Sequence, residues 1–125
     1  MKRILIVDDE LSIQESLKPL LESAEITVIG ASSLEEAKAL LDQSHFDLVL
    51  TDLRLTGTDG KEGLELITKV KQNMPETPVV LMTAFGSTEI EKEARKRGAS
   101  DYWTKSIRIG DMLSRIRSLG IPVNS

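Results

Sequence analysis

The stretch Leu48-Val49-Leu50-Thr51-Asp52 is a short apolar run that ends in a carboxylate. Three other runs in the chain are built in the same way, and each leads into a polar residue. They are Ile4-Leu5-Ile6-Val7 before Asp8-Asp9, Val79-Val80-Leu81-Met82 before Thr83, and Tyr102-Trp103-Thr104 before Lys105. Continuous apolar runs are typical of strands buried on both faces of a parallel sheet. The sequence therefore predicts an α/β fold with a parallel sheet.

The polar residues that follow these runs are expected to form one site. All strands of a parallel sheet finish at the same edge, and open α/β sheets bind their ligands there. Asp8, Asp9 and Asp52 should meet at this edge, where three carboxylates at short range repel one another. A hard divalent cation such as Mg²⁺ relieves that repulsion, and carboxylate oxygens are ligands that it prefers. A backbone carbonyl just past the third strand, such as that of Arg54, could complete its octahedron.

Thr83 and Lys105 indicate which chemical group would bind beside this cation. Neither residue is a good Mg²⁺ ligand, but an ammonium and a hydroxyl both suit the oxygens of a phosphoryl group. Charge and positioning are most of what phosphoryl transfer requires from a protein. None of the strand ends carries a histidine, cysteine or serine nucleophile, so Asp52, at the end of a central strand, is the natural acceptor.

Strands and helices are predicted to alternate five times, because apolar residues recur at helical spacing between the strands. The predicted strands cover residues 2–7, 27–31, 47–51, 79–83 and 100–104. Ser33 and Thr88, each followed three residues later by glutamate, match the capping box that begins a helix, and Gly98 ends the fourth helix. Pro19 predicts a kink or a late start in the first helix. Right-handed crossovers then give a doubly wound sheet.

The composition limits the classes of function. A chain of 125 residues without cysteine fits one domain in a reducing compartment, and we expect a cytoplasmic protein. The apolar runs are far shorter than the ~20 residues of a membrane span, so no membrane association is expected. The net charge of −4 gives no basic patch for direct nucleic acid binding.

Taken together, these segments resemble the receiver domain of bacterial two-component response regulators, the CheY-like family. The matching pieces are Ile4-Leu5-Ile6-Val7-Asp8-Asp9-Glu10, Thr51-Asp52-Leu53-Arg54-Leu55, Leu81-Met82-Thr83-Ala84 with Gly86, and Gly98-Ala99-Ser100-Asp101-Tyr102-Trp103-Thr104-Lys105. The resemblance covers residues 2–119, and the pieces occur in the family's order. Their amino-acid sequences are similar to those of receivers of the enhancer-binding, NtrC-type subclass. The resemblance implies a flavodoxin-like (βα)5 receiver domain over residues 1–120 with strand order 2-1-3-4-5, followed by a tail or linker at 121–125.

The resemblance also implies a phosphorelay. Asp52 would accept a phosphoryl group from a histidine kinase, with Mg²⁺ held by Asp8, Asp9, Asp52 and the backbone carbonyl of Arg54. Such a domain is not an enzyme in the usual sense, since it catalyses only its own phosphorylation and dephosphorylation.

In receivers, two residues of this pattern also act as a switch. Lys105, Thr83 and the backbone of Ala84 would bind the phosphoryl group, and Thr83 and Tyr102 would then move inward. The face formed by the fourth helix, the fifth strand and the fifth helix would change shape. An output domain, most naturally a transcriptional one, a partner protein or a second copy of the chain would read that change.

Three departures from the family pattern support a competing hypothesis. Ser106 stands where receivers have proline, which predicts a trans bond and a less firmly aimed Lys105. Thr56 also replaces a proline, and the glycine-rich connection over residues 57–63 is about three residues longer than usual and is expected to be mobile. A degenerate receiver that only binds partners is therefore an alternative, and a small flavin-binding or phosphatase domain is a third.

Each candidate residue also has an ordinary structural explanation. Asp8 and Asp9 could cap the first helix, Asp52 could form an Asx turn, Thr83 could cap a turn and Lys105 could be a solvated charge. These explanations are good ones singly, but all of them holding at four strand ends is improbable. For Tyr102 the choice is closer, because a strand tyrosine usually serves packing.

Overall fold

The computed structural model of the protein describes residues 1–55 and 60–123, along which five strands alternate with five helices. The strands are β1 Lys2–Val7, β2 Ile26–Ala31, β3 Leu48–Asp52, β4 Val79–Thr83 and β5 Asp101–Thr104. The helices are α1 Leu11–Leu21, α2 Leu34–Gln43, α3 Glu62–Asn73, α4 Thr88–Lys96 and α5 Ile109–Ser118. The predicted alternation is confirmed. Within the described ranges, no helix is both long and apolar enough to cross a membrane.

The five strands form one parallel sheet in the order β2-β1-β3-β4-β5, which confirms the predicted flavodoxin-like topology. Val7 pairs with Thr51 across β1 and β3, and Asp52 pairs with Met82 across β3 and β4. The carboxyl ends of β1, β3 and β4 are therefore neighbours. This register is what places the residues after each strand at one edge of the sheet.

The apolar runs supply two cores, one on each face of the sheet. Successive strand residues point to opposite faces, so Leu5 and Val7 pack with the helices α2, α3 and α4, whereas Ile4 and Ile6 pack with α1 and α5. All four of these side chains are buried. The continuous hydrophobicity of the strands thus follows from having helices on both faces.

The second core extends past the predicted domain boundary at residue 120. Ile121 and Val123 are buried and belong to the apolar cluster that α1 and α5 cover. Gly120, with a φ of 93°, turns the chain so that these two side chains face the sheet. The packed part of the chain therefore reaches at least Val123.

The helix ends test the capping predictions. Ser33 caps α2 as predicted, because its hydroxyl accepts the Glu36 N–H at 3.1 Å. The prediction that Thr88 caps α4 was wrong by one residue, since Ser87 is extended and its hydroxyl accepts the Ile90 N–H at 3.1 Å. The hydroxyl of Tyr102 accepts the Ser87 N–H at 3.0 Å, which helps to hold residue 87 outside the helix.

Two residues that disfavour helix, Gly98 and Pro19, both lie near the C-terminal end of a helix. Gly98 ends α4 as predicted, with a φ of 111° that favours glycine. Of the two predictions made from Pro19, a kink or a late start of α1, the late start does not occur, because the helix begins at Leu11 and Pro19 lies in its last turn. The Glu22 N–H still donates to the Lys18 carbonyl at 2.8 Å, so the helix closes after the proline.

Candidate functional site

An open cavity of about 630 Å³ lies at the carboxyl edge of the sheet. Most of the residues singled out from the sequence line it, and they come from the ends of the four strands β1, β3, β4 and β5. They are Asp9, Asp52, Arg54, Thr83, Ala84 and Lys105. Asp8 does not line the cavity, because its side chain is completely buried. Residues 56–59, which include Thr56 and part of the connection predicted to be long, lie outside the described residues.

The three aspartates come together as the strand ends predicted. One carboxylate oxygen from each of Asp8, Asp9 and Asp52 lies within 4.8 Å of the others. Asp8 is fully buried, Asp52 is 7% exposed and Asp9 is exposed to solvent. Neither Asp8 nor Asp9 caps α1, since the cap residue is Glu10 and it makes no side-chain capping bond. The helix-cap explanation of this pair is therefore wrong.

The surroundings of Asp8 fit a divalent cation. Its Oδ1 accepts the Glu10 N–H at 2.9 Å, but its buried Oδ2 has no hydrogen bond of good geometry from any described residue. The close neighbour of Oδ2 is the Lys105 ammonium, with Nζ 2.8 Å away. A buried carboxylate oxygen with unused acceptor capacity, beside two further carboxylates, is a suitable ligand for a hard cation.

Lys105 is an integral part of this cluster and not a solvated charge. Its Nζ lies 3.2 Å from Asp52 Oδ2 and 3.4 Å from Glu10 Oε1, in addition to its contact with Asp8, and its side chain is only 15% exposed. Burial lowers the pKa of Lys105, but the carboxylates of Asp8 and Asp52 outweigh it and raise the pKa to about 12. The ammonium is therefore charged at all physiological pH values.

The acceptor candidate Asp52 has a destabilised anion. Burial and the charge of Asp8 raise the pKa of Asp52 above its ordinary value, and Lys105 only partly offsets them. The carboxylate is thus held in a place where more positive charge would be favourable. A bound cation supplies that charge, which is the second reason that the cluster fits a metal.

The Lys105–Ser106 bond is trans, as expected without the proline. The turn that follows β5 closes through the Ile107 N–H, which donates to the Thr104 carbonyl at 3.1 Å, and through a 2.9 Å contact between the hydroxyls of Thr104 and Ser106. With this turn in place, the Lys105 ammonium still reaches both buried aspartates. The departure at Ser106 therefore removes no group from the cluster.

Thr83 lines the cavity at the end of β4, and Tyr102 belongs to the adjacent strand β5. The Thr83 hydroxyl, buried in its strand, donates to the Phe85 carbonyl at 3.2 Å. The Tyr102 ring is half-buried, and its hydroxyl is held by the Ser87 N–H. A Cβ on Gly86 would lie 2.2 Å from the Tyr102 hydroxyl, so glycine leaves the room that the ring needs. Both hydroxyls thus bind backbone groups of the β4–α4 connection.

Comparison with known proteins decides the family. Residues 4–117 match the response regulator receiver domain. The chain belongs to this family. The receiver is 41% identical to the response regulator protein PilR of Pseudomonas aeruginosa, over 94% of this chain and 25% of PilR. It is 35% identical to the transcriptional regulatory protein CpxR of Escherichia coli (strain K12), over 95% of this chain and 49% of CpxR. The chain therefore spans a quarter to a half of these relatives.

Solved structures agree with this assignment. A CheY-like receiver domain protein from Methanospirillum hungatei JF-1 superimposes with a TM-score of 0.86 and 31% identity, covering 96% of this chain and 94% of that one. The beryllofluoride-activated NtrC4 receiver domain dimer superimposes with a TM-score of 0.84 and 32% identity, covering 95% of this chain and 96% of that one. The CheY-like fold is shown by these matches, whereas the NtrC-type subclass stays a prediction.

Two residues that support the receiver's site were not predicted from the sequence. Gln14 donates from its side chain to the carbonyls of Asp8 and Ala31, and Glu62 is buried and accepts the Leu55 N–H at 3.2 Å. The available signal for Gln14 was Gly30, because a glycine inside a strand marks the close approach of another group. For Glu62 the local sequence gives no comparable signal.

Proposed function

We propose that this receiver takes a phosphoryl group from a histidine kinase onto Asp52 and thereby switches the surface around α4, β5 and α5. The observation that carries the proposal is the position of Lys105, whose Nζ is 3.2 Å from Asp52 Oδ2 and 2.8 Å from Asp8 Oδ2. Asp8, Asp9 and Asp52 would hold Mg²⁺, and the backbone carbonyl of Arg54 would complete its ligands.

The transfer itself follows from these groups. A carboxylate oxygen of Asp52 attacks the phosphorus atom, the bond from phosphorus to the donor's nitrogen breaks, and an acyl phosphate forms on Asp52. Mg²⁺, held by Asp8, Asp9 and Asp52, would neutralise charge on the phosphoryl oxygens. The Lys105 ammonium pairs with one of those oxygens, and the hydroxyl of Thr83 and the backbone N–H of Ala84 donate to another. The receiver thus catalyses only its own phosphorylation and later hydrolysis.

The switch would begin at Thr83. To reach a phosphoryl oxygen, its hydroxyl must leave the Phe85 carbonyl, to which it now donates at 3.2 Å. The β4–α4 connection would then move, and Tyr102, bonded to the Ser87 N–H in that connection, would move with it. The altered face would control an output domain or partner, most naturally for transcription, or would favour a homodimer. We place this phosphorelay in the cytoplasm, in line with the absence of cysteine.

Trp103 allows a direct test. It is 4% exposed and lines a cavity together with Lys105, so its fluorescence should respond to events at Asp52. Addition of beryllofluoride or acetyl phosphate with Mg²⁺ should change the emission, and Asp52→Asn should abolish the change. Asp111→Asn, an exposed aspartate on α5, serves as the matched control and should respond like the wild type.

Two outcomes would count against the proposal. A wild-type receiver that shows no fluorescence change and gains no phosphoryl mass with acetyl phosphate and Mg²⁺ would be a degenerate receiver, which only binds partners. A phosphoryl group that still attaches to the Asp52→Asn variant would place the acceptor elsewhere.

A further inference from the structure

The side chain of Gln14 joins the ends of β1 and β2. Its Nε2 donates to the Asp8 carbonyl at 2.8 Å and to the Ala31 carbonyl at 3.0 Å. Because both partners are acceptors, the amide nitrogen and not the oxygen must face them. The Asp8 N–H also donates to the Ala31 carbonyl, at 3.0 Å. The N–H and the carbonyl of Asp8 are thus both hydrogen-bonded just where the chain leaves the sheet.

Gly30 makes this arrangement sterically possible. A Cβ built on Gly30 would lie 2.0 Å from Gln14 Oε1 and 2.8 Å from its Cδ. Neither distance is compatible with an unmoved side chain, so any larger residue at position 30 would displace the Gln14 amide. Gln14 and Gly30 therefore act as a matched pair, one on α1 and one on β2.

The direction of the Asp8 carboxylate depends on this backbone. The side chain is completely buried and its Oδ1 is taken by the Glu10 N–H, so its orientation follows from where the backbone of residue 8 is held. The other oxygen, Oδ2, has no hydrogen bond of good geometry from a described residue, and one oxygen of this carboxylate lies within 4.8 Å of an oxygen of Asp9 and an oxygen of Asp52. A small rotation of the Asp8 peptide would move the Asp8 carboxylate relative to the other two.

We propose that Gln14, in the space left by Gly30, is a positioning residue that aims the Asp8 carboxylate at the metal. The inference rests on the proposed function, since it assigns a partner to one of the residues that would hold Mg²⁺. Residues that do not bind the metal themselves but hold one of its ligands in position typically contribute about 10–100-fold to metal affinity. A purely structural tie between α1 and β2 would affect stability and leave that affinity unchanged.

The test is a titration of the receiver with MgCl₂ alone. The backbone N–H of Glu10, followed by NMR, reports on the Asp8 carboxylate that it binds, and Trp103 fluorescence gives a second reading. Gln14→Met keeps the length of the side chain but removes the donor. We expect its Mg²⁺ dissociation constant to rise about 10-fold. Gln72→Met, the same change at an exposed position on α3, should bind Mg²⁺ like the wild type.

Gly30→Ala provides an independent route to the same result. In the wild-type background it should weaken Mg²⁺ binding about as much as Gln14→Met, because it displaces the amide without deleting it. In a Gln14→Ala background it should add less than a twofold effect, since no side chain remains to be displaced. If Gln14→Met is too unstable to titrate, this pair of variants carries the test.

The outcomes separate the two proposals. Unchanged Mg²⁺ affinity in Gln14→Met and in Gly30→Ala, beside normal binding by the wild type, would overturn the role of Gln14 alone. A wild-type receiver that binds no Mg²⁺ would overturn the proposed metal site and this role with it. Recovery of beryllofluoride binding by Gln14→Met at saturating Mg²⁺ would support a positioning role, because the defect would then lie in metal affinity.

Discussion

Two groups of side chains at the receiver's site are held by different kinds of interaction. We call the charged side chains of Asp8, Asp52 and Lys105 the acidic wall, in which Asp8 is buried beneath the cavity surface, and the hydroxyls of Thr83 and Tyr102 the hydroxyl wall. In the acidic wall, one ammonium lies within 3.2 Å of two buried carboxylates. In the hydroxyl wall, each side chain makes one neutral hydrogen bond to a backbone group of the β4–α4 connection.

Under the proposed function, the acidic wall would carry out the phosphoryl transfer and the hydroxyl wall would carry the signal. Hydrogen bonds to charged groups contribute about 1.5–3 kcal/mol, and neutral ones about 0.5–1.5 kcal/mol. The acidic wall is therefore the more firmly held of the two groups, whereas the hydroxyl wall can exchange its partners at smaller cost. A switch needs both properties, because transfer requires fixed charges and signalling requires a part that moves.

Asp8→Asn should cause the largest effect, since it removes from the acidic wall a buried carboxylate that would bind the proposed metal. We expect the affinity for Mg²⁺ to fall by about 100-fold, the upper end of the range for changes around a metal site. The rate of phosphorylation by acetyl phosphate at low Mg²⁺ should fall in parallel. Calorimetric titration with MgCl₂ measures the first and phosphoprotein mass the second.

The matched control for this prediction is Asp111→Asn, which removes the same charge from an exposed position on α5. Wild-type affinity in Asp8→Asn would show that the carboxylate triad does not act as one site. The acidic wall could then no longer be interpreted as a preformed metal site that differs in this respect from the hydroxyl wall.

Lys105→Met should reduce the free energy of unfolding by about 2 kcal/mol at pH 7 without metal, somewhat below the ~3–5 kcal/mol of fully buried pairs. The raised pKa of Lys105 determines how its contribution to the free energy of unfolding depends on pH. The contribution of Lys105 is complete below the unfolded pKa of about 10.4, and it is lost as the pH rises through about 12. Urea unfolding at pH 7 and pH 10 should give the same difference between variant and wild type.

Lys92→Met, at an exposed lysine of α4, is the control and should change stability by less than about 0.5 kcal/mol. If Lys105→Met is equally harmless, the ion pairs of the acidic wall contribute no net stability.

Most of the acidic wall could be predicted from the sequence, because its residues directly follow apolar runs and parallel strands all end at one edge. The hydroxyl wall was predicted only in part. Ser87 and Tyr102 bond across 15 positions, and Gln14 and Ala31 across 17. Such contacts depend on how separate elements pack, which local spacing does not record. The same reason explains the one-residue error at the start of α4.

Asp52→Asn should raise the free energy of unfolding of the receiver at pH 7 in the absence of metal. The pKa of Asp52 is higher in the folded protein than in the unfolded chain. Above the unfolded pKa, the folded state therefore carries an anion that it disfavours, and asparagine removes this penalty. Thermal unfolding at pH 7 and pH 3 measures it, and the gain should vanish at pH 3, where both states are protonated.

Saturating Mg²⁺ should reverse the order, because the metal stabilises the wild type by binding its folded state. A variant that is less stable than the wild type in the absence of metal would show that Lys105 more than compensates the buried charge of Asp52.

Tyr102→Phe should have the smallest effect, a loss of about 0.5–1 kcal/mol in the free energy of unfolding, since it deletes one neutral hydrogen bond. The Ser87 N–H that loses its partner is exposed, so water can replace the hydroxyl. Mg²⁺ affinity should stay within twofold of the wild type, because Tyr102 belongs to the hydroxyl wall alone. Tyr102→Leu, which also removes the ring, should be clearly less stable. A several-fold loss of Mg²⁺ affinity in Tyr102→Phe would mean that the two walls are coupled before phosphorylation, and the fixed and movable parts would not be separate.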